Sequence, residues 1–175
     1  NFTDLYNKFC PGPLTFILKL KKDSKISKFV TNKKKTLAVR FPSHPRAKSL
    51  LKILNYPLAA PSANISSRVS PVTKNHVKEE FGKKIKYIIE GGLSKIGLES
   101  TIINLIGKPE ILRIGSIDIN KLSKALKKKL IHRKKTHMEV PGQNRLHYSP
   151  GIPLKMNCKE ASLDEAFILM KKRNN

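Results

Sequence analysis

The sequence has 175 residues, enough for about one domain at the usual roughly 100–200 residues each, and two full domains are excluded. With 39% apolar and 27% charged residues, it contains no apolar run near the roughly 18 positions that a membrane span requires. The 36 Lys and Arg against 12 Asp and Glu give a net charge of +24, which suits phosphate-bearing partners. Of those cations 29 are Lys, spread along most of the chain, so a solvated and compositionally biased surface is an equally good reading.

In chain order, Leu14 to Leu18 reads as a buried strand after the turn Pro11-Gly12-Pro13, and Thr36 to Arg40 as a second strand broken by Phe41-Pro42. Pro45 suits a first helical turn, with Ser43 a candidate cap, and Ala47, Leu50, Leu51 and Leu54 fall on one face that reads as core. Leu58-Ala59-Ala60 is expected as a short strand leading into a polar loop. Thr73 then caps a helix stopped by Gly82. Tyr87-Ile88-Ile89, Thr101 to Leu105 and Glu110 to Arg113 complete the expected strands, and Asp118 or Asn120 caps a helix carrying Leu122, Ala125, Leu126 and Leu130. The alternation predicts an α/β domain. From Ile131 to about Pro150 basic and turn-forming residues, with Pro141-Gly142 and Ser149-Pro150, have the composition of a linker. A capping box of Ser162 and Glu165 predicts a helix over Ser162 to Lys172.

Several chemistries lack their motifs: there is no GxxxxGK[ST] loop, HExxH, GxSxG or dinucleotide fingerprint. The five His, at 44, 76, 132, 137 and 147, have no acidic partners at ligand spacing, and no metal site is expected. Cys10 and Cys158 stand far apart without a CxxC, as free thiols of a reducing compartment, hence the cytoplasm.

What remains are polar clusters at strand ends, where α/β sheets bind ligands. Arg40 closes the second strand, and its planar fork suits a carboxylate or phosphate, or else is a surface Arg at a strand exit. The small residues Ala60-Pro61-Ser62-Ala63-Asn64, with Ser66, Ser67 and Ser70, let a ligand approach backbone N–H groups, or form a plain Ser-rich turn. A Gly-containing loop feeds Glu99-Ser100-Thr101 into the next strand. Arg113, among apolar neighbours, needs an anionic partner, either a ligand or a salt bridge to Glu99 or Glu110.

The strings PGPLTFIL, TLAVRFP, APSAN, SSRVSP, GLESTI, ILRIG and HYSP, in this order over about residues 5 to 150, resemble the YrdC-like threonylcarbamoyl-adenylate synthases of the long, two-domain type. The resemblance implies a YrdC-like fold, a twisted mixed α/β sheet with helices around a deep basic cavity. It divides the chain into a partial catalytic domain (1–130), an interdomain linker with His147-Tyr148 (131–150) and the beginning of a small C-terminal domain (151–175). The implied activity joins L-threonine, bicarbonate and ATP into threonylcarbamoyl-AMP and pyrophosphate, for threonylcarbamoyl modification of adenosine in tRNA, with Mg2+ carried on ATP and no tightly bound cofactor. Arg40, Ala60 and Ser100 would form the threonine pocket. Thr36, Ser62, Asn64, Ser70 and Arg113 would line the ATP side, with Tyr148 folding over the nucleotide. No protein nucleophile or acid/base pair is implied, because a substrate carboxylate or carbamate attacks the α-phosphorus.

Members of that family begin with a further stretch that includes a Lys-x-Arg segment, which neither Lys19-Leu20-Lys21-Lys22 nor Lys33-Lys34-Lys35 matches. The expectation is therefore a fragment or split gene product that draws its other half from a separate polypeptide, or a decayed gene remnant. A noncatalytic module binding tRNA or double-stranded RNA through the basic surface is the alternative from another class. The low aromatic content, 6% with no Trp, disfavours stacking on single strands.

Overall fold

The computed structural model describes residues 1–132 and 148–168. Asn1 opens helix α1 (Phe2–Phe9), its side-chain carbonyl accepting from the Thr3 N–H, and Leu5 on its inner side is fully buried. Strand β1 (Leu14–Lys19) follows, then the one-turn helix α2 (Lys28–Thr31) and β2 (Thr36–Arg40). Helices α3 (Pro45–Ile53) and α4 (Lys74–Phe81) precede β3 (Thr101–Asn104), β4 (Glu110–Arg113) and α5 (Ile119–Leu126). The strands form one mixed sheet in the order β2-β1-β3-β4, in which β1 pairs antiparallel with β2 and parallel with β3, and β4 runs antiparallel to β3. The expected mixed α/β sheet is present.

Alternation along β1 sends Leu14 and Phe16 to one face and Thr15 and Ile17 to the other. On the first face Leu14, Phe16, Ile103 and Ile111 pack with Leu5 of α1 and Leu122 and Leu126 of α5, which is the core of the molecule. Asp118 fixes the start of α5 by accepting from the Asn120 and Lys121 N–H groups at 2.7 and 3.3 Å. Thr101, fully buried on the core side, donates to the Ile117 carbonyl and accepts from the Ile117 N–H, both at 3.0 Å, and so pins the chain leading into α5.

Some expected elements differ. The cap of α3 is His44, not Ser43: its Nδ1 accepts from the Arg46 N–H at 3.2 Å while Nε2 donates to the Gly91 carbonyl at 3.0 Å, and this ring reach ties the helix to a distant loop. The apolar face of α3 is correctly placed but only half-buried. Leu58-Ala59-Ala60 and Tyr87-Ile88-Ile89 form no strands; Leu58, Tyr87 and Ile89 are 45, 79 and 60% exposed, and no described strand pairs with either segment. In the tail one half of the capping box forms, Ser162 N–H donating to the Glu165 carboxylate at 3.1 Å, while the Glu165 N–H donates to the Ser162 carbonyl at 3.0 Å as in a turn, and no helix follows up to residue 168. Phe167 and Ile168 are 41 and 74% exposed, and a short helix with little tertiary packing is marginal. Pro141, Gly142 and His147 of the expected linker and residues 169–172 of the expected helix lie outside the described residues. No helix among the described residues is long and apolar enough to cross a membrane.

Candidate active site on the sheet face away from the core

The register places one row of residues across all four strands: Arg40 opposite Thr15, Thr15 beside Ile102, and Ile102 opposite Arg113. Partners directly opposite in a sheet share a face, and this is the face away from the core, where Ala38 and Arg40 are exposed. Arg113 reaches it through a β-bulge. Ile103 pairs with Ile111 but Ile102 pairs with Arg113, so Leu112 is the extra residue and Arg113 turns to the side opposite its i−2 neighbour Ile111.

Ser100, just before β3, is the hub. It is 4% exposed, and its Oγ lies 2.7 Å from Thr15 Oγ1. Arg113 donates from Nε to the Ser100 carbonyl at 3.1 Å and from Nη2 to Ser100 Oγ at 3.0 Å. Ser100 Oγ accepts from the guanidinium, which leaves its own proton for Thr15. Arg113 Nη2 also faces Glu99 Oε2 at 3.6 Å, so the ion-pair alternative for this Arg is present, toward Glu99. The other carboxylate oxygen, Oε1, accepts from Ser70 Oγ at 2.7 Å. Gly115 lets the chain close on this point: a Cβ there would stand 2.4 Å from the Glu99 carbonyl oxygen, the Ser100 carbonyl carbon and the Thr101 nitrogen.

Residues 148 and 149 join the same cluster. Ser149 N–H donates to the Ser67 carbonyl at 2.9 Å, and Ser149 bridges to Arg68. This brings Tyr148, at a left-handed φ of 58°, to the side of Arg113. Tyr148 is 40% exposed, and its partial burial pushes the phenol above the ordinary tyrosine value, opposed by the positive charge of Arg113 and aided by the negative charge of Glu99.

Of the expected site residues, the structure brings Ser70, Ser100, Arg113 and Tyr148 into one connected cluster, with Arg40 at the far end of the row, its Nε donating to the Gly12 carbonyl at 3.4 Å. Asn64 braces the neighbouring loop, its amide nitrogen donating to the Ile65 and Arg68 carbonyls at 2.9 and 3.1 Å, while its Oδ1 is buried without a partner among the described residues. Thr36 is on the same face as Arg40 but four residues back along β2, roughly 13 Å away at strand spacing. Ala60 and Ser62 are exposed, and no hydrogen bond among the described residues ties them to the cluster. Thr15 was not legible as a site residue, though a Thr amid LTFIL opposite a strand-end Arg is the signal that could have found it. On this face Thr15, Ser100 and Ile102 are buried and Arg40 at its edge is exposed; a cavity of about 450 Å³ lies elsewhere, beside α4, among Lys74, Lys78 and Ile85.

These features define an α/β protein that gathers two arginines, a buried hydroxyl pair and a tyrosine on the sheet face away from the core. The Sua5/YciO/YrdC family model, described as "Telomere recombination", matches residues 1–115. The chain belongs to that family. It is 40% identical over 162 residues to a threonylcarbamoyl-AMP synthase of Schizosaccharomyces pombe, covering 85% of this chain and 40% of that protein. To the threonylcarbamoyl-AMP synthase of Pyrococcus abyssi it is 38% identical over 152 residues, covering 83% of this chain and 44% of the relative. Among solved structures, the crystal structure of P. abyssi Sua5 complexed with L-threonine superposes with a TM-score of 0.77 at 36% identity, over 85% of this chain and 45% of that one. Escherichia coli YciO gives 0.58 at 31% identity, over 67% of this chain and 57% of that one. The chain thus spans under half the length of these two curated synthases.

Proposed function

We propose that the chain carries the threonine and nucleotide sites of an L-threonylcarbamoyl-adenylate synthase, a nucleotidyltransferase. The observation that supports this most is the chain of contacts that links Arg40, paired with Thr15, through the Thr15–Ser100 hydroxyl pair to Arg113 on the sheet face away from the core, in a chain whose relatives are named for that activity and whose structural neighbour was crystallised with L-threonine. Three strand spacings separate β2 from β4, so the two arginines stand about 14 Å apart at their backbones, a span suited to an amino-acid carboxylate at one end and a nucleotide phosphate at the other.

In this reading Arg40 takes the threonine carboxylate, with Ser100 and the backbone near Ala60 around the side chain. Arg113, Ser70 and Asn64 serve the nucleotide, Thr36 and Ser62 lie along its side, and Tyr148 closes over it. Threonine's amine and bicarbonate combine to a carbamate with loss of water. The carbamate oxygen then attacks the α-phosphorus of ATP, forming the P–O bond of threonylcarbamoyl-AMP as the bond to the β-phosphate oxygen breaks and pyrophosphate leaves. Positioning and charge neutralisation carry such a reaction, so the chain needs anion-holding donors rather than a nucleophile. Mg2+ enters as part of the Mg-ATP substrate. The product serves threonylcarbamoyl transfer to tRNA adenosine, in the cytoplasm, which makes tRNA a downstream partner. We assign residues 1–130 to the catalytic domain, 131–150 to the linker and 151–175 to the start of a further domain.

The test is threonine- and bicarbonate-dependent pyrophosphate release from Mg-ATP, with the chain alone and supplemented with the N-terminal half of a family member. Arg40→Ala is expected to raise the KM for threonine at least about tenfold, the usual worth of a charged hydrogen bond. Pyrophosphate release that ignores threonine, or an Arg40→Ala variant with unchanged KM, refutes the assignment.

A further inference from the structure

Glu99 holds together three parts of the cluster that belong to different stretches of chain. Its two carboxylate oxygens face different partners: Oε1 accepts the Ser70 hydroxyl proton at 2.7 Å, and Oε2 faces Arg113 Nη2 at 3.6 Å. Its own backbone is fixed, the carbonyl accepting from the Ser116 N–H at 3.1 Å against the close approach of Gly115. Ser70 ends the loop in which Asn64 bonds the Arg68 carbonyl and Ser67 accepts from Ser149, the residue after Tyr148. Glu99 is therefore the joint between the sheet face that holds Arg113 and the loop that carries the tyrosine strap. Both groups are partly shielded, at 27% exposure for Glu99 and 14% for Arg113, which makes such charge-assisted bonds worth more than surface pairs.

One property of the joint is set by proton count. A hydroxyl has a single proton, and Ser70 gives it to Glu99, so Ser70 offers a ligand only lone pairs. Phosphate oxygens only accept. Ser70 in this arrangement therefore serves a donor group of a nucleotide, a ribose hydroxyl or the adenine amine, rather than a phosphate.

Resting on the functional reading above, we propose that Glu99 is a positioning residue for the nucleotide: it anchors the Ser67–Ser70 loop and the Tyr148 strap to the sheet and sets the Ser70 hydroxyl to accept. Three variants of the full chain separate the parts. Glu99→Gln keeps an acceptor for Ser70 and loses the charge on Arg113; Glu99→Ala loses both; Ser70→Ala cuts the loop tether alone. Amide hydrogen exchange at Ser149, whose N–H is held by Ser67, is expected to quicken on the order of tenfold in Glu99→Ala and Ser70→Ala and to return near wild type in Glu99→Gln. ATP binding is expected to weaken about tenfold in the same two variants, with the KM for threonine within about twofold where turnover is measured. Unchanged Ser149 exchange in Glu99→Ala overturns the tether. Equal losses for ATP and threonine in all three variants, with a lowered melting temperature, show a merely structural role and overturn positioning. A wild-type chain with protected Ser149 and no ATP binding overturns the functional reading first, and the positioning role falls with it.

Discussion

The buried hydroxyl pair of Thr15 and Ser100 gives a sharp test of how this face of the sheet is held. Ser100→Ala removes an oxygen that pairs with Thr15 Oγ1 at 2.7 Å and accepts from Arg113 Nη2 at 3.0 Å. Arg113 keeps its Nε bond to the Ser100 carbonyl, so the guanidinium stays tethered. The Thr15 hydroxyl, however, is left 8% exposed with its partner gone. An orphaned buried hydroxyl costs about 1–3 kcal/mol, and adding the weakened charged bond puts Ser100→Ala at about 2–3 kcal/mol. Thr15→Val removes the other hydroxyl at nearly constant volume and leaves Ser100 still serving Arg113, for about 1 kcal/mol. In the double variant no hydroxyl is orphaned, so the total is expected near 2 kcal/mol, with a coupling of about 1 kcal/mol or more between the sites. The chain has no Trp, so urea unfolding is followed by far-ultraviolet circular dichroism, with the slope m expected unchanged. Additivity within about 0.3 kcal/mol would refute the buried pair.

Gly115→Ala places a methyl 2.4 Å from three backbone atoms of residues 99–101, none of which can rotate away, and a loss of about 2–3 kcal/mol is expected in the same urea assay; stability within about 0.5 kcal/mol of wild type would contradict the close approach. Thr101→Val orphans both Ile117 backbone groups in a fully buried spot, and a loss of about 2–4 kcal/mol is expected by urea midpoint, against near-neutrality if those bonds carry nothing. Tyr148 ionises above the ordinary tyrosine value. Its neutral form is thus favoured when docked, docking is fully present below the unfolded tyrosine value, and it is lost as pH rises through the raised one. Difference absorbance of wild type minus Tyr148→Phe is expected to show this late phenol, and a phenol titrating at or below the ordinary value would show that the strap is not docked.

The sheet was legible because its strands carry their own signals. Leu14 to Leu18, Thr36 to Arg40, Thr101 to Leu105 and Glu110 to Arg113 are short apolar runs bounded by turns, and each appears where its pattern puts it. Helix α1 was missed because its eight residues give barely two turns of periodicity, and its cap is the first residue of the chain. The strands expected at Leu58-Ala59-Ala60 and Tyr87-Ile88-Ile89 fail for the opposite reason. Strand propensity measures fit to a pleated, half-buried neighbour, and these segments have no pairing partner among the described residues. Their apolar side chains were readable in the sequence; the neighbour they require was not.

Arg113 shows where one-dimensional reading of the site stops. Counting by twos from the buried Ile111 puts Arg113 on the core face, where an arginine would have to find its counter-charge among Leu and Phe. The bulge at Leu112 reverses that face, and no residue type in Ile111-Leu112-Arg113 announces it. Only pairing with β3 does, since Ile103 takes Ile111 and Ile102 takes Arg113. The same shift aligns Arg113 with Thr15 and Arg40, so one inserted residue turns a structural misfit into the end of a polar row. Ser70 and Ser100 lie thirty residues apart in the chain, and the resemblance implies one for the nucleotide and the other for threonine. The structure puts a single carboxylate between the Ser70 hydroxyl and the guanidinium that Ser100 holds. Sequence patterns could identify these side chains as candidates for anion chemistry, but which proton each one gives and which it receives is decided by the register of the sheet.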